Sequence, residues 1–325
     1  MKKLLFGFCA LALAISCQKK VANEPEAIAD EPTSVARHCA AEEVLQQQIA
    51  ADPRRAERLR EIEAFTKNAI ETGRLVNGVI EIPVVVNVLY RTTAENISDA
   101  QIASQITVLN EDFNNTNADG TKTPAEWSSL RANYGIRFVL AKTVRKATNK
   151  RSWGTNDDMK RSSRGGIDPT LPTTHLNMWA CNLGQGLLGY AQFPGGPAAT
   201  DGVVVLYSAF GSRAKAAGTY VANYDLGRTA THEVGHWLNL RHIWGDATCG
   251  NDLVGDTPYA QTSNGGCPAY PKVSACTTGG THNEMTMNYM DYTYDRCMYM
   301  FTTGQKDRSL ALFAAGGARN SFAQP

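Results

Sequence analysis

The sequence predicts an α/β (α+β) fold: an upper part with a twisted mixed sheet and its helices, and an irregular lower part held by disulfides. Three observations predict it. Runs of β-branched residues alternate with helical faces between residues 78 and 238. The segment 246–299 is rich in Gly, Cys, Asn, Asp and Tyr and has little periodicity. Finally, 325 residues that are 43% hydrophobic suffice for a core of ordinary domain size.

The first 17 residues predict an export signal. Two lysines precede an apolar run, Leu4 to Ile15, that is too short to span a bilayer. The run ends in LAISC, which resembles the bacterial lipobox with Cys17 as the lipidated residue; an ordinary secretory signal is the alternative. Residues 18–37 are polar and contain two prolines, which predicts a tether. We therefore expect an exported, membrane-anchored bacterial lipoprotein precursor, which is secreted if it is later released.

The remaining elements follow in chain order. A helical prosegment is expected at 38–74, with Asp52 and Pro53 starting a helix and Gly73 as a stop. A capping box of Ser98 and Gln101 predicts the start of an amphipathic helix. Strands are expected at 78–90, 134–142, 175–183 and 201–210, and further helices at 228–238 and 303–315. We assign 75–239 to an upper and 240–325 to a lower catalytic subdomain.

Charge and cysteine content bound the partners and the compartment. Lys plus Arg is 32 and Asp plus Glu is 31, so nothing favours nucleic acid, and contact with a membrane is expected only through a lipid on Cys17. We expect a monomer. Four cysteines between 249 and 297 predict two disulfides, although their spacing leaves three pairings open. Cys181 lies in an apolar stretch and is expected to be a buried free thiol.

The stretch THEVGHWLNLRH, residues 231–242, predicts a zinc site. On a helix, His232 and His236 project from one face about 6 Å apart along the axis, and Glu233 beside them is suited to act as a general base. His242 becomes a third ligand only if the helix ends before it. Asn239 stands where that turn belongs, and asparagine tolerates a positive φ better than most residues. The alternative is a set of histidines on a helix surface.

The sequences HEVGHWLNLRH and MNYMDYTYDRCMYMF resemble the pappalysin (cytophagalysin) family of metzincin zinc endopeptidases. The resemblance covers roughly residues 75–315, and Asn239 in place of the family's glycine is the visible departure. It implies a metzincin-like fold, a catalytic Zn²⁺ and protein or peptide substrates. In this family the strand matching 186–195 lines the cleft, so its free edge would hold an extended peptide.

The same resemblance assigns roles to individual residues. Met290 would form the Met-turn beneath the zinc, and Tyr292 would stabilise the oxyanion, unless it is merely a packed tyrosine. Asp295 would lie at the base of the pocket for the side chain just after the scissile bond, where it favours Arg or Lys; a solvated loop aspartate is the alternative.

The resemblance also implies structural features of the lower subdomain. The disulfides would pair Cys249 with Cys276 and Cys267 with Cys297. Asp252 and Thr257 would bind a structural Ca²⁺, although Asp256 in the same loop is equally suited to cap a turn.

Cys39, ahead of the helical block, suggests latency, because a thiolate is a good fourth zinc ligand. The alternative is an uninvolved thiol or an intermolecular bridge. A preference of Asp295 for basic residues would allow self-cleavage at the Gly73–Arg74 bond. The sequence as a whole predicts an exported zinc metalloendopeptidase made as a latent precursor. Its rivals are a surface lipoprotein binding module with a structural zinc site and a zinc hydrolase acting on a non-peptide substrate.

Overall fold

The structure is a computed structural model that describes Met1 and residues 37–323. The predicted export signal, its Cys17 and the tether up to residue 36 lie outside the described residues. In the part that is described, no helix is long and apolar enough to cross a membrane.

Eleven helices and strands of the described chain position the site. The helices are α1 (Ala41–Ala51), α2 (Arg54–Glu71), α3 (Asp99–Phe113), α4 (Ala125–Ser128), α5 (Arg228–Trp237) and α6 (Thr303–Leu310). The strands are β1 (Ile80–Tyr90), β2 (Ile136–Ala147), β3 (Leu176–Cys181), β4 (Gly189–Ala191) and β5 (Val203–Leu206).

The strands form one mixed sheet with the order β2-β1-β3-β5-β4. All neighbouring pairs are parallel except β4 and β5, which are antiparallel. The central strands β1 and β3 are almost entirely buried, as their β-branched and apolar runs predict. The predicted mixed sheet is therefore confirmed, with β4 as the edge strand beside the site.

Helices α3 and α5 complete the core beneath the sheet. The apolar face predicted for α3 is buried at Ile102, Leu109 and Phe113. Every residue of α5 is buried, and this helix packs against α3, β4 and β5. Because α5 carries the first two histidines of the motif, its burial fixes their position relative to the sheet edge.

The local signals at helix ends differ in part from the sequence prediction. Asp52 and Pro53 separate two helices, and the Arg54 N–H donates to the Asp52 carboxylate. The Ser98 hydroxyl accepts from the Gln101 N–H, but the Gln101 side chain does not complete a capping box. Instead it donates to the carbonyl of Phe210, since a buried amide must find a partner in the core. The last helix ends at Leu310 and continues only as a 3₁₀ turn.

The chain after α5 is irregular until α6, as its composition predicts. Disulfides join Cys249 to Cys276 and Cys267 to Cys297, each with Cα atoms 5.6 Å apart. Cys181 is a buried free thiol, as expected. Residues 37–323 belong to one compact unit, and the boundaries placed at 75 and 239 stay predictions.

Candidate active site

The helix α5 ends as the zinc motif requires. Its last residue is Trp237, and Asn239 follows with φ of +70°. The Asn239 N–H donates to the His236 carbonyl, and the Leu240 N–H donates to the Gly235 carbonyl. This left-handed turn reverses the chain, so His242 returns to the face of α5 that carries the first two histidines.

The three histidines converge on one point. The Nε2 atom of His236 lies 3.2 Å from that of His232 and 3.1 Å from that of His242. All three side chains are buried. Three nitrogens this close, without a shared proton donor, leave their lone pairs unsatisfied unless a cation lies between them.

The outer ring nitrogens are each held by the protein. The Nδ1 of His232 lies 2.7 Å from the Tyr289 carbonyl, and that of His236 lies 2.8 Å from the Leu240 carbonyl. The Nδ1 of His242 contacts the Asp246 carboxylate. Acceptors at Nδ1 place the ring proton there and leave Nε2 free to bind a metal.

This donor set fits zinc. Tetrahedral coordination with Zn–N distances of about 2.0–2.1 Å separates ligand nitrogens by about 3.3–3.4 Å, close to the spacing found. Burial lowers the pKa of His232 well below its ordinary value and lowers that of His236 to about 3, so both are neutral as ligands must be. With Cys39, these are the only His, Cys, Asp or Glu side chains within residues 37–323 grouped three or more together to share an ion.

Met290 packs against α5 at Gly235, between the first two histidines of the motif. A Cβ at Gly235 in the middle of α5 would lie 2.4 Å from the Met290 sulfur, so any other residue there would displace the Met290 side chain. The Met290 carbonyl accepts from the Ile243 N–H, and the next residue, Trp244, stacks on His242 with ring centroids 4.3 Å apart. The segment after His242 is therefore bonded to the chain at Met290 and packs against the third histidine.

Cys39 lies at the same centre. Its Sγ and the three histidine nitrogens all fall within 4.8 Å of one another. The thiol donates to Glu233 Oε2 at 3.3 Å, and the Tyr292 hydroxyl donates to the Cys39 carbonyl at 3.1 Å. Burial raises the pKa of Glu233 to about 8 and also raises that of Tyr292. One residue thus contacts the carboxylate and the phenol that the sequence predicts to be catalytic.

The segment around Cys39 lies on the outer edge of β4. The Leu188 N–H donates to the His38 carbonyl, and the Ala40 N–H donates to the Gly189 carbonyl. Cys39 and Gly189 pair in parallel. The edge predicted to hold an extended peptide is therefore occupied by the chain itself.

Asp295 is fully buried rather than solvated. Its Oδ1 accepts from Arg37 Nη2 at 2.6 Å, and its Oδ2 accepts from the backbone N–H groups of Leu226 and Arg228. The Arg37 guanidinium also lies 5.0 Å from the Tyr224 ring centroid. Arg37 was not recognised from the sequence, because it falls at the end of the predicted tether. The available signal was its position two residues before Cys39.

A buried ion network behind α5 was also missed. Asp112 of α3 accepts from the Arg228 guanidinium, from the Thr231 hydroxyl at 2.7 Å and from the Tyr289 hydroxyl at 2.9 Å. Arg228 also donates to both oxygens of Asp119. Since the Tyr289 carbonyl holds His232, Asp112 links α3, α5 and the turn beneath the zinc site. Nothing in the sequence around Asp112 distinguishes it from a surface aspartate.

Helix α2, in the segment predicted to be a prosegment, makes a second polar contact away from the histidines. Glu63 of α2 forms a bidentate ion pair with Arg308 of α6 and accepts from Asn239 Nδ2 at 3.3 Å. The Arg308 Nε donates to the Asn239 carbonyl at 2.8 Å. The residue at the turn after α5 is therefore bonded to α2.

In the loop suggested for calcium, Asp252 and Thr257 contact each other. The Thr257 hydroxyl donates to Asp252 Oδ2 at 2.7 Å, and burial raises the pKa of Asp252 to about 7. Asp256 accepts from the Thr302 hydroxyl and the Gly304 N–H at the start of α6. Asp256 is thus a helix-capping residue, and α6 has the complete capping box, formed by Thr302 and Gln305.

The fold and the geometry of the histidines together define the class of the chain, which is a metzincin-type metallopeptidase. Comparison with known proteins gives the family. Residues 182–314 match the family described as pregnancy-associated plasma protein-A, the pappalysins. Extracellular metalloprotease 1 of Coccidioides posadasii is 37% identical over 227 residues, 67% of this chain and 70% of that protein. An extracellular metalloprotease of Uncinocarpus reesii is 35% identical over 251 residues, 73% of this chain and 78% of that protein. The chain belongs to the pappalysin family.

Solved structures agree with this assignment. Mature mirolysin of Tannerella forsythia, in complex with a cleaved peptide, has 46% identity and a TM-score of 0.72, covering 76% of this chain and 97% of that chain. A promirolysin mutant of the same organism has 43% identity and a TM-score of 0.79, covering 88% and 97%. The predicted family and fold are therefore confirmed.

Proposed function

We propose that this chain is an exported zinc metalloendopeptidase made as a latent precursor, with Zn²⁺ held by His232, His236 and His242. The observation that carries the proposal is the convergence of three buried Nε2 atoms beside Glu233 at the edge of β4. A structural zinc site closes with four ligands and needs no base, so the carboxylate favours catalysis over the binding-module alternative.

Each catalytic side chain has a defined task in this proposal. Zinc supplies Lewis acidity when bound. Glu233 accepts a proton from the attacking water and passes it to the departing amine. Tyr292 donates a hydrogen bond from its hydroxyl to the substrate oxygen on which negative charge develops. The β4 edge holds the peptide by main-chain hydrogen bonds, as it holds residues 38–40 in the precursor.

Latency is supported by what Cys39 contacts. Its sulfur lies within 4.8 Å of the three histidine nitrogens, its thiol donates to Glu233, and its carbonyl accepts from Tyr292. We infer that Cys39 is the fourth zinc ligand of the precursor. Substrate cannot reach the base, the phenol or the sheet edge while this segment remains.

The preference for a basic residue after the scissile bond is supported by Arg37. A guanidinium from the chain itself occupies the Asp295 pocket, where it also lies against the Tyr224 ring. A buried carboxylate is costly without a cation, so a substrate Arg or Lys would replace Arg37 in the processed enzyme.

Self-processing at Gly73–Arg74 is supported by exposure. Residues 71–74 are exposed, and Gly73 follows the end of α2 with φ of +66°. The same cut would release the catalytic part from a lipid on Cys17, which rests on the sequence alone. Mass spectrometry of purified wild type and Glu233→Ala tests this step: wild type should lose the prosegment and the variant should keep it. Equal processing of both would rule out self-cleavage.

We further propose that the protein is a monomer. We also propose a structural Ca²⁺ at Asp252 and Thr257, because hard oxygen donors suit calcium and a cation would stabilise the buried Asp252 carboxylate. Calcium should raise the melting temperature of wild type and not that of Asp252→Asn. An equal rise in both would place the ion elsewhere.

Cleavage of a mixed peptide library by processed enzyme tests the function itself. Product termini should show Arg or Lys after the cut, and a zinc chelator should abolish cleavage. Absence of chelator-sensitive peptide cleavage would favour the binding module or a hydrolase with a non-peptide substrate.

A further inference from the structure

Three successive backbone carbonyls beside the site are bound to arginines of the prosegment. Arg55 donates from Nη1 to the Pro194 carbonyl at 2.7 Å and from Nη2 to the Phe193 carbonyl at 2.9 Å. Arg58 donates from Nε to the Gly195 carbonyl at 3.1 Å. We call residues 193–195 the carbonyl loop. It follows β4 directly.

The carbonyl loop holds a buried cation that has no carboxylate in direct contact among residues 37–323. Arg55 is only 1% exposed, and its remaining hydrogen bond is to the side-chain oxygen of Gln48. A buried guanidinium normally needs an anionic partner. Here the Pro194 and Phe193 carbonyls each accept from one end of the guanidinium fork. The loop itself therefore has the geometry to select a planar cation.

The position of the loop relative to the cleft follows from the prosegment. The chain from Arg37 to Ala40 runs parallel to β4, with Arg37 toward Asp295 and the residues after Cys39 toward Phe193. The Phe193 ring lies 5.2 Å from the His236 ring and packs in the cluster that contains Cys39. If the Asp295 pocket receives the substrate residue after the scissile bond, the carbonyl loop lies on the other side of the zinc. The substrate residues before the scissile bond would bind on that side.

We propose that the carbonyl loop of the processed enzyme binds a basic side chain of the substrate, N-terminal to the scissile bond. This rests on the proposed peptidase function, because prosegment removal is what frees the three carbonyls. Counting along β4 from Gly189 at about 3.3 Å per residue, and allowing for the length of an arginine, puts the basic residue roughly three to five positions before the cut. Peptides with basic residues on both sides of the scissile bond would then be cut faster than those with only one.

Paired peptides test the site. Each carries Arg after the scissile bond and, at one of the third to fifth positions before it, either arginine or citrulline, its neutral isostere. Processed enzyme made from the full chain is expected to show about tenfold higher kcat/KM for the arginine peptide at one position, carried by KM. Equal values at all three positions would overturn the proposal.

A binding measurement separates this outcome from failure of the proposed function. The Glu233→Ala chain, freed of its prosegment by limited trypsin digestion, should bind the arginine peptide about tenfold more tightly than the citrulline peptide in fluorescence anisotropy. If neither peptide is cleaved by wild type, the proposed function fails, and this ratio still decides whether the loop binds a cation. A ratio near one rejects the site.

A matched pair of variants locates the effect. Gly195 has φ of +82°, and a Cβ there would meet Arg55 Nη1 at 3.0 Å, so Gly195→Asn should crowd the bound guanidinium and reduce the arginine-to-citrulline ratio toward one. Gly165 has φ of +89° with no atom within 4 Å of such a Cβ, so Gly165→Asn should keep the ratio. An unchanged ratio in Gly195→Asn would place the cation elsewhere.

Discussion

Replacing Asn239 tests how the zinc motif works without glycine at its turn. Asn239 is 1% exposed, has φ of +70° and donates to Glu63 at 3.3 Å. In Asn239→Val a β-branched residue must adopt a left-handed conformation, at a cost of about 1–3 kcal/mol. Losing the bond to Glu63 adds about 1 kcal/mol. Asn239→Gly loses the same bond but relieves the backbone, so its net change should stay within about 1 kcal/mol.

The assay measures melting temperature and zinc content in a Glu233→Ala background, so that every sample keeps its prosegment. The valine variant should melt about 5–10 °C lower, and it should lose zinc because the turn no longer returns His242 to the site. Asn115→Val is the matched control, because Asn115 also has a positive φ, +56°, but lies outside the motif; it should lose stability and keep zinc. A valine variant at position 239 with full zinc and an unchanged melting temperature would refute the account of the turn.

Three further predictions concern latency and specificity. Glu63→Gln removes the ion pair with Arg308 and should speed prosegment removal by trypsin, by roughly tenfold for about 1.4 kcal/mol lost. Cys39→Ser replaces a good zinc ligand with a poor one, so the intact precursor should cleave a fluorogenic peptide before any processing is visible on a gel. Asp295→Asn should lower kcat/KM by at least about tenfold for peptides with Arg after the scissile bond, and much less for those with Leu.

Each of these has a control or a contrary outcome. Glu61 is exposed on the same helix, so Glu61→Gln should leave the trypsin rate unchanged. A silent Cys39→Ser precursor would mean that blocking the β4 edge suffices for latency. An equal loss of kcat/KM for Arg and Leu peptides in Asp295→Asn would indicate damage to the backbone at Leu226 and Arg228. The N–H groups of these two residues donate hydrogen bonds to Asp295.

Much of this molecule could be predicted because its signals are local. Spacing placed His232 and His236 on one helical face with Glu233 beside them, and the need to end that helix identified Asn239. β-branched or apolar runs predicted β1, β2, β3 and β5, whereas β4 was expected only from the family resemblance. The capping box at Gln101 was misassigned because its amide is used by a distant carbonyl in the core.

What could not be predicted depends on contacts between distant segments. Arg37 pairs with a residue 258 positions away, and Asp112 with one 116 positions away. Their flanking residues carry no period or motif, so only the folded chain shows that they meet. The contact of Glu63 could not be predicted either, because in the sequence this residue looks like any exposed charged residue of an amphipathic helix.

The outer edge of β4 raises a question of solubility. Exposed strand edges usually promote association, because another chain can add to the sheet. In the precursor residues 38–40 cover this edge. In the proposed active enzyme, a chain that adds there would lie against the zinc and be cut, so catalysis would clear the edge. A processed Glu233→Ala chain keeps the edge but cannot clear it. It should therefore scatter more light than processed wild type at equal concentration, and adding the segment 38–73 as a peptide should reverse the difference.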